Sequence, residues 1–364
     1  MTDDNSLNRA RKKINDIDGK MRELFIERMR AAEIIADYKK NRGLPIFDES
    51  RENDVIRRNS EQIADEELRE FYVNFIKSTM AVSRAYQSRL MNGLKVAYSG
   101  TVGAFAHIAA EELFPDAQKI SFGDFASAYR AVEDGECDLC VLPVENSYNG
   151  EVGQVTDLMF SGSLYVNGIY DLAVCHDLLG IEGATVSDIK EVVSHPQALA
   201  QCSRYIKEKG YSTREFENTA LAAREVARTM DKSLAAIASA KAAESFGLTV
   251  LDHDINESRS NTTRFAVFSR VANNRVKAES GVHSILLFTV RNEAGALARA
   301  IDVIGSHGFN MRTLRSRPMK ELLWQYYFYV EAEGNVQTDE GRNMMEELGE
   351  FCDKLKFAGT YVKL

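Results

Sequence analysis

No stretch of the sequence runs to roughly eighteen consecutive apolar residues, the length a helix needs to span a bilayer, so no membrane partner is expected. The opening residues, Met1-Thr2-Asp3-Asp4-Asn5-Ser6, lack the basic and apolar regions of a secretory signal, and a cytoplasmic location is the expectation. Cationic excess is missing as well. The 45 Lys and Arg stand against 54 Asp and Glu, a formal charge of −9, which argues against nucleic acid as the main partner. Cysteines are few and odd in number: five, scattered, which fits reduced thiols rather than a disulfide framework. Cys137 and Cys140 form a lone C-x-x-C with no second pair to complete a zinc site, and the Leu139, Val141 and Leu142 around them read as a buried strand. No metal or other cofactor is expected. Internal repeats and low-complexity segments are also lacking.

What is present is enough apolar material, 45% of 364 residues, for two or three separate cores. Residues 8 to 92 contain no strand-like alternation and a single proline, Pro45; they read as a long helix, a shorter one and another long one. After Asn92-Gly93 the texture changes. Short apolar runs such as Lys95 to Tyr98, Leu139 to Pro143 and Ala235 to Ala238 alternate with helical stretches up to about Arg270, an α/β pattern. Ala272 to Gly281 is polar and reads as a linker. The remainder predicts strand His283 to Val290, helix Gly295 to Ser306, strands near Asn310 to Ser316 and Leu323 to Glu331, helix Asp339 to Lys354 and strand Phe357 to Val362. That order is βαββαβ, a ferredoxin-like arrangement.

The first helix carries cations where core residues belong. On a wheel of 100° per residue, Ile14, Ile17, Met21, Leu24 and Ile35 fall within about 40° of Arg28, and Lys39 within about 20°. A cation on an apolar stripe requires an anion, either a protein carboxylate or a bound acid, unless its stem snorkels outward. Arg11 lies about 100° around the helix from Arg28 and about 25 Å along it, so one molecule cannot aim both at one small ligand, whereas a second copy of the helix could. On the third helix Ser83 and Gln87 are i, i+4 neighbours on a face with Tyr72, Ile76 and Leu90, and Asp48, Arg51 and Glu52 cluster at the start of the second. Such groups suit a small, multiply charged acid.

At these residues the segment resembles the all-helical chorismate mutases, intertwined dimers whose long first helices exchange an arginine between sites. The resemblance implies that Arg11 of a partner and Arg28 hold the two carboxylates of chorismate, and that Lys39 and Gln87 donate to the ether oxygen. Glu52 and the Arg51 backbone would hold the hydroxyl, with Asp48 and Ser83 as further binding residues. The rearrangement to prephenate needs no nucleophile and no proton transfer, so holding a chair-like conformer and stabilising separating charge is the whole task.

In the middle of the chain four stretches place small polar groups at strand or loop edges: Gly100 to Phe105, Pro143 to Ser147, Ser194 to Cys202 and Asn261 to Phe265. The first lacks the third glycine of a nucleotide-binding turn. Together they resemble prephenate dehydratase, most specifically through Ser194-His195-Pro196-Gln197-Ala198 and Thr263-Arg264-Phe265. That implies Thr263 as the catalytic residue, with Asn146, Gln197, Thr219 and Arg264 lining or supporting the site. Farther on, Gly295-Ala296-Leu297 and Arg315-Ser316-Arg317-Pro318 resemble the ACT regulatory domain, implying phenylalanine as effector through those residues, with Arg315 standing where relatives usually carry glutamate.

The resemblance as a whole is to the bifunctional chorismate mutase/prephenate dehydratases. The implied architecture is multidomain: an all-α helical chorismate mutase domain over residues 1–93, an α/β two-lobed periplasmic-binding-protein-like dehydratase domain over 94–271, and an α+β ferredoxin-like (βαββαβ) ACT domain over 282–364. Chorismate and prephenate would be substrates, phenylalanine the effector, and the assembly a homodimer or higher homo-oligomer. An arogenate-using dehydratase and a non-catalytic, ligand-sensing protein are the alternatives.

Overall fold

The computed structural model describes residues 3–258, 260–274, 276, 281–319 and 325–364. Parts of the linker expected at Ala272 to Gly281, and the expected strand start at Leu323, lie outside the described residues. Two compact units divide the chain, residues 1–94 and 95–364.

The first unit is three helices, α1 (Asp3–Arg42), α2 (Glu49–Ser60) and α3 (Glu66–Asn92). At 1.5 Å per residue the 40-residue α1 is about 60 Å long. It stops at Gly43, whose positive φ of 63° a residue with a Cβ adopts only at a cost. Asp48 and Asp65 then start the next two helices by accepting the Arg51 and Leu68 backbone N–H groups at 3.0 and 3.1 Å. Of the described α1 residues only Ala32 and Ala36 are buried, while Ile14, Leu24 and Ile34 are 57%, 63% and 72% exposed. The apolar stripe of α1 therefore remains largely uncovered within one chain.

The second unit begins with a lobe of β1 (Lys95–Ser99), α4 (Phe105–Leu113), β2 (Gln118–Phe122), α5 (Phe125–Glu133), β3 (Leu139–Asn146), β4 (Gly150–Glu151), α6 (Gly153–Ser161) and β5 (Tyr165–Ala173). The chain then crosses to a second lobe: β6 (Asp177–Gly180), β7 (Glu191–Ser194), α7 (Pro196–Gln201), α8 (Ser203–Lys209), β8 (Ser212–Glu215), α9 (Thr219–Thr229), β9 (Leu234–Ala238), α10 (Ala240–Phe246) and β10 (Thr249–Asp252). It returns through β11 (Thr262–Ser269). The two sheets run β2-β1-β3-β11-β5 and β10-β6-β9-β7-β8, so the returning β11 lies antiparallel between β3 and β5 in the heart of the first lobe. Cys137 and Cys140 are buried there, and burial pushes the Cys137 thiol up to about 11.

The last elements are β12 (Val282–Val290), α11 (Ala296–Ser306), β13 (Met311–Pro318), β14 (Tyr326–Glu333), α12 (Asp339–Phe351) and β15 (Cys352–Val362), the order βαββαβ in an antiparallel sheet β13-β14-β12-β15. The alternation of β12 divides its apolar side chains between two cores. Leu286 and Phe288 pack with Ala300, Ile304 and Met344 of α11 and α12, whereas Ile285 and Leu287 join Leu142, Val155 and Met159 of the first lobe. The helix expected to reach Lys354 ends at Phe351. Cys352 to Leu355 pair with Val290 to Phe288 instead, and ladder pairing outweighs the local helical tendency.

Candidate active sites

In the helical unit, α1 and α3 bring Arg28 and Ser83 into direct hydrogen bonding, and Arg28 also reaches the Thr79 carbonyl at 3.4 Å. Burial lowers the Arg28 pKa, an effect that the nearby Glu52 carboxylate offsets in part. Gln87, one helical turn beyond Ser83, is buried with no partner for its Oε1 among the described residues. Lys39 donates to the Ile46 carbonyl at 2.5 Å, and Glu52 accepts from Arg84 at 2.5 Å, a cation that sequence reasoning passed over. One detail differs from expectation. The Arg51 N–H is already taken by Asp48, whose carboxylate is the cap of α2; an exposed helix start needs that acceptor. Arg11 is exposed on the same long helix as Arg28, far along it, as its spacing in the sequence expects.

In the second unit the lobes face each other across a cavity of about 540 Å³. Asn146, Gln197, Thr219 and Thr263 all line it, together with His176, His195, Gln201 and Asn261. No Lys or Arg is among the described lining residues. Helices α4 and α6 begin at this wall behind Ala104 and Val152, neither of which supplies a side-chain cap to their first N–H groups. The glycine loop closes against the second lobe at Gly103, with φ 83°, where an added Cβ would come within 3.2 Å of the Ala242 backbone.

The hydrogen bonds of the cleft floor have a definite direction. Asn146 Oδ1 accepts the Tyr148 and Asn149 N–H groups at 3.0 and 3.1 Å, which identifies Nδ2 as the donating end of the amide. That nitrogen donates to Thr263 Oγ1 at 2.9 Å and to Asn261 Oδ1 at 3.0 Å. Thr263 is 9% exposed, and because its oxygen receives the Asn146 proton, its own hydrogen is left to donate elsewhere. Asn261 and Gln201 are the residues missed by sequence reasoning. Both sit inside the motifs that flagged this region, and Gln201 is one helical turn from Gln197 on α7.

Of the two roles expected for Arg264, lining the site or supporting it, the structure removes the first. Side chains alternate along β11, so with Thr263 on the cleft side Arg264 projects from the other face and does not line the cavity. There it meets Glu331 of β14 at 3.3 Å, Glu145 and Asp171 at 3.5 Å and the Tyr361 hydroxyl at 3.2 Å. Burial disfavours the Arg264 charge, but Glu331 and its neighbours outweigh it and hold the guanidinium firmly protonated. Arg315 and Arg317, expected to face an effector, point the same way. Arg315 pairs with Glu145, and Arg317 reaches Asp157 at 3.0 Å and Glu151 at 3.5 Å, because every second residue of β13 turns toward the first lobe. Ser316 lies on the opposite, exposed side. Gly295 precedes α11 with φ 82° and gives it no side-chain cap; Ala296 is buried and Leu297 packs against the C-terminal core.

Residues 96–273 match the prephenate dehydratase family and residues 10–88 the chorismate mutase type II family. Over 377 aligned residues the chain is 30% identical to the bifunctional chorismate mutase/prephenate dehydratase of Escherichia coli (strain K12), covering 99% of this chain and 97% of that protein. It is 31% identical to arogenate dehydratase/prephenate dehydratase 2, chloroplastic, of Arabidopsis thaliana, over 89% of this chain and 87% of that one. The crystal structure of prephenate dehydratase from Arthrobacter aurescens in complex with L-Phe is 25% identical, covers 74% of this chain and 90% of that one, and superimposes with a TM-score of 0.69. With both family matches in one chain and near full-length agreement with bifunctional relatives, this protein belongs to the bifunctional chorismate mutase/prephenate dehydratase family.

Proposed function

We propose that the two reactions occur at the two constellations described, and that phenylalanine acts through the C-terminal sheet. For the mutase, Arg28 with Ser83, Lys39, Glu52 and Gln87 forms one half of a site that Arg11 of a second copy completes. The uncovered stripe of α1 supports a homodimer or higher homo-oligomer, since a helix of that length with exposed Ile14, Leu24 and Ile34 gains stability by burying them against its equal. Gln87 and Lys39 then stabilise charge on the ether oxygen as the C–O bond breaks.

For the dehydratase, the observation that carries the reading is the Asn146 to Thr263 hydrogen bond. It leaves the Thr263 hydroxyl as a donor inside the cleft, where prephenate must shed its ring hydroxyl and carbon dioxide. The ring C–O bond breaks as the carboxylate C–C bond supplies the electrons, and the departing oxygen leaves as water once protonated. Thr263 lowers the barrier by donating to that oxygen as charge builds on it. Among the described lining residues no Lys or Arg meets the carboxylates of prephenate, and the N–H groups at the starts of α4 and α6 and the amides of Gln197 and Gln201 are the polar groups at hand for them. Thr219 opens α9 at the same wall.

The C-terminal βαββαβ unit, taken as a ferredoxin-like ACT domain, is the phenylalanine sensor. The complex of a relative with L-Phe supports this, and the uncapped start of α11 offers N–H groups to an amino-acid carboxylate. A route to the active site is at hand. Thr263 pairs with Asn146 in the sheet, and the adjoining pair, Arg264 with Glu145, is held by Glu331 and Arg315 of the C-terminal sheet. The test feeds purified protein chorismate and follows prephenate and phenylpyruvate with and without phenylalanine, arogenate being supplied in a separate arm. Phenylpyruvate formation that phenylalanine slows is the expected result; unchanged prephenate kinetics at millimolar phenylalanine refutes the sensor.

A further inference from the structure

His176 is a buried titratable group in the cleft wall that neither reaction uses directly. It is 2% exposed and lies between β5 and β6, where the chain crosses from the first lobe to the second. Its backbone is held on both sides, with its N–H on Asn256 Oδ1 at 3.0 Å and its carbonyl accepting the Ile255 N–H at 2.8 Å, and its ring meets Phe105 edge-on. Its Nε2 lies 2.9 Å from Gln201 Oε1.

The direction of the cleft-floor hydrogen bonds determines the tautomer. Backbone N–H groups pin Asn146 so that Nδ2 donates to Asn261 Oδ1; Asn261 Nδ2 in turn donates to Gln201 Oε1 at 3.0 Å. Gln201 Oε1 is an oxygen with lone pairs only, so the nitrogen of His176 that faces it must carry the proton. The other tautomer would set a ring lone pair against a carbonyl lone pair in a buried place, with its proton on Nδ1, which has no partner among the described residues. Burial also lowers the pKa of the ring, which keeps it neutral.

We propose that His176 is a positioning residue for dehydration: as the neutral Nε2–H tautomer it orients Gln201 and, through Asn261 and Asn146, keeps the Thr263 hydroxyl proton directed at the substrate. The chain of amides starts on the first lobe at Thr263, passes through Asn261 at the return crossing and ends on Gln201 of the second lobe, with His176 at the outward crossing. It also turns the Gln201 amino group away from Asn261, leaving it without an acceptor among the described residues and available in the cleft. The inference rests on Thr263 as the donor, and the experiment separates the two claims.

His176→Leu removes the proton that pins Gln201, and the dehydratase kcat should fall roughly 10- to 100-fold, less than the loss of a direct transition-state donor, while KM for prephenate rises by a smaller factor as Gln201 loses its fixed orientation. His176→Gln places an amide NH2 near the position of Nε2 and should recover most of the rate; His176→Asn is too short to reach Gln201 and should be as slow as Leu. The mutase rate of the same chain, from a separate compact unit, should stay unchanged and reports a folded protein. Thr263→Val is measured beside them. A slow Thr263→Val with a fully active His176→Leu overturns the role of His176 alone, and so does a Gln variant as slow as Leu. A fully active Thr263→Val overturns the donor reading itself.

Discussion

Replacing Thr263 by valine keeps the branched shape and removes one hydroxyl. The hydroxyl accepts from Asn146 and, on the reading above, donates to the oxygen that leaves the prephenate ring. Loss of one donor aimed at developing charge costs about 10²–10³ in kcat, ~2.7–4 kcal/mol. The upper part of that range applies, because Thr263 is 9% exposed and few water molecules can stand in for it. Folding should suffer little, since the Asn146 amino group keeps Asn261 Oδ1 at 3.0 Å and the Thr262 carbonyl at 3.3 Å and is not orphaned. The stability cost is then about 1 kcal/mol, which in a unit of this size lowers Tm by about 2–4 °C. Purified variant supplied with prephenate should show the loss in kcat with little change in KM, and supplied with chorismate it should accumulate prephenate. Thr263→Ser retains the donor and should stay within about tenfold of the parent. A valine variant whose kcat is within threefold of the parent would refute the assignment.

Arg28→Ala should abolish mutase turnover and leave dehydration intact, because the two sites belong to separate compact units; parallel loss of both rates in a folded variant counts against that. Arg11→Ala should also inactivate the mutase, and verified heterodimers with Arg28→Ala should regain activity at one of two shared sites, so that no recovery argues against exchange of Arg11. Glu331→Gln should destabilise the second unit by about 2–4 kcal/mol at pH 7, somewhat below the cost of breaking a fully buried pair because Arg264 keeps Glu145 and Asp171. Burial raises the Glu331 pKa, but the Tyr361 hydroxyl and Arg264 more than reverse this and depress it, so its stabilisation is present above the ordinary carboxylate pKa of about 4.3 and disappears as pH falls through the depressed value. Thermal melts should therefore show the gap between parent and variant narrowing as pH falls below about 4.3, and a gap of the same size at every acid pH at which both proteins still fold contradicts the ion pair. Arg315→Leu should leave phenylalanine binding by calorimetry within about threefold and weaken its effect on prephenate affinity, a coupling of about 1–3 kcal/mol in the parent; undiminished inhibition would exclude Arg315 from the route.

Much of the chemistry was legible in the sequence because it is local. Arg28 in an apolar stripe, Ser83 four residues before Gln87, and the neighbouring residues Asn261 to Phe265 are spacings along one element, and helical and strand periods turn spacing into direction. The period that places Thr263 in the cleft also places Arg264 outside it, yet the sequence motif joins the two as if they shared a task. Only pairing of β11 with β3 and packing of β14 against the same sheet decided that Arg264 grips Glu331. The same holds for Arg315 and Arg317, whose targets Glu145 and Asp157 lie 170 and 160 residues away. His176, Gln201 and Asn261 were in view as letters, but a hydrogen bond's direction depends on which donor faces which acceptor, and that requires a strand, a helix and the two crossings between the lobes brought together from distant parts of the chain. What the sequence by itself determined was therefore the set of elements, the family and the residues able to do the chemistry. Which of them meet, and which way their protons point, was decided by tertiary packing, because close-range polar interactions depend on distances of a few tenths of an ångström that no periodicity encodes.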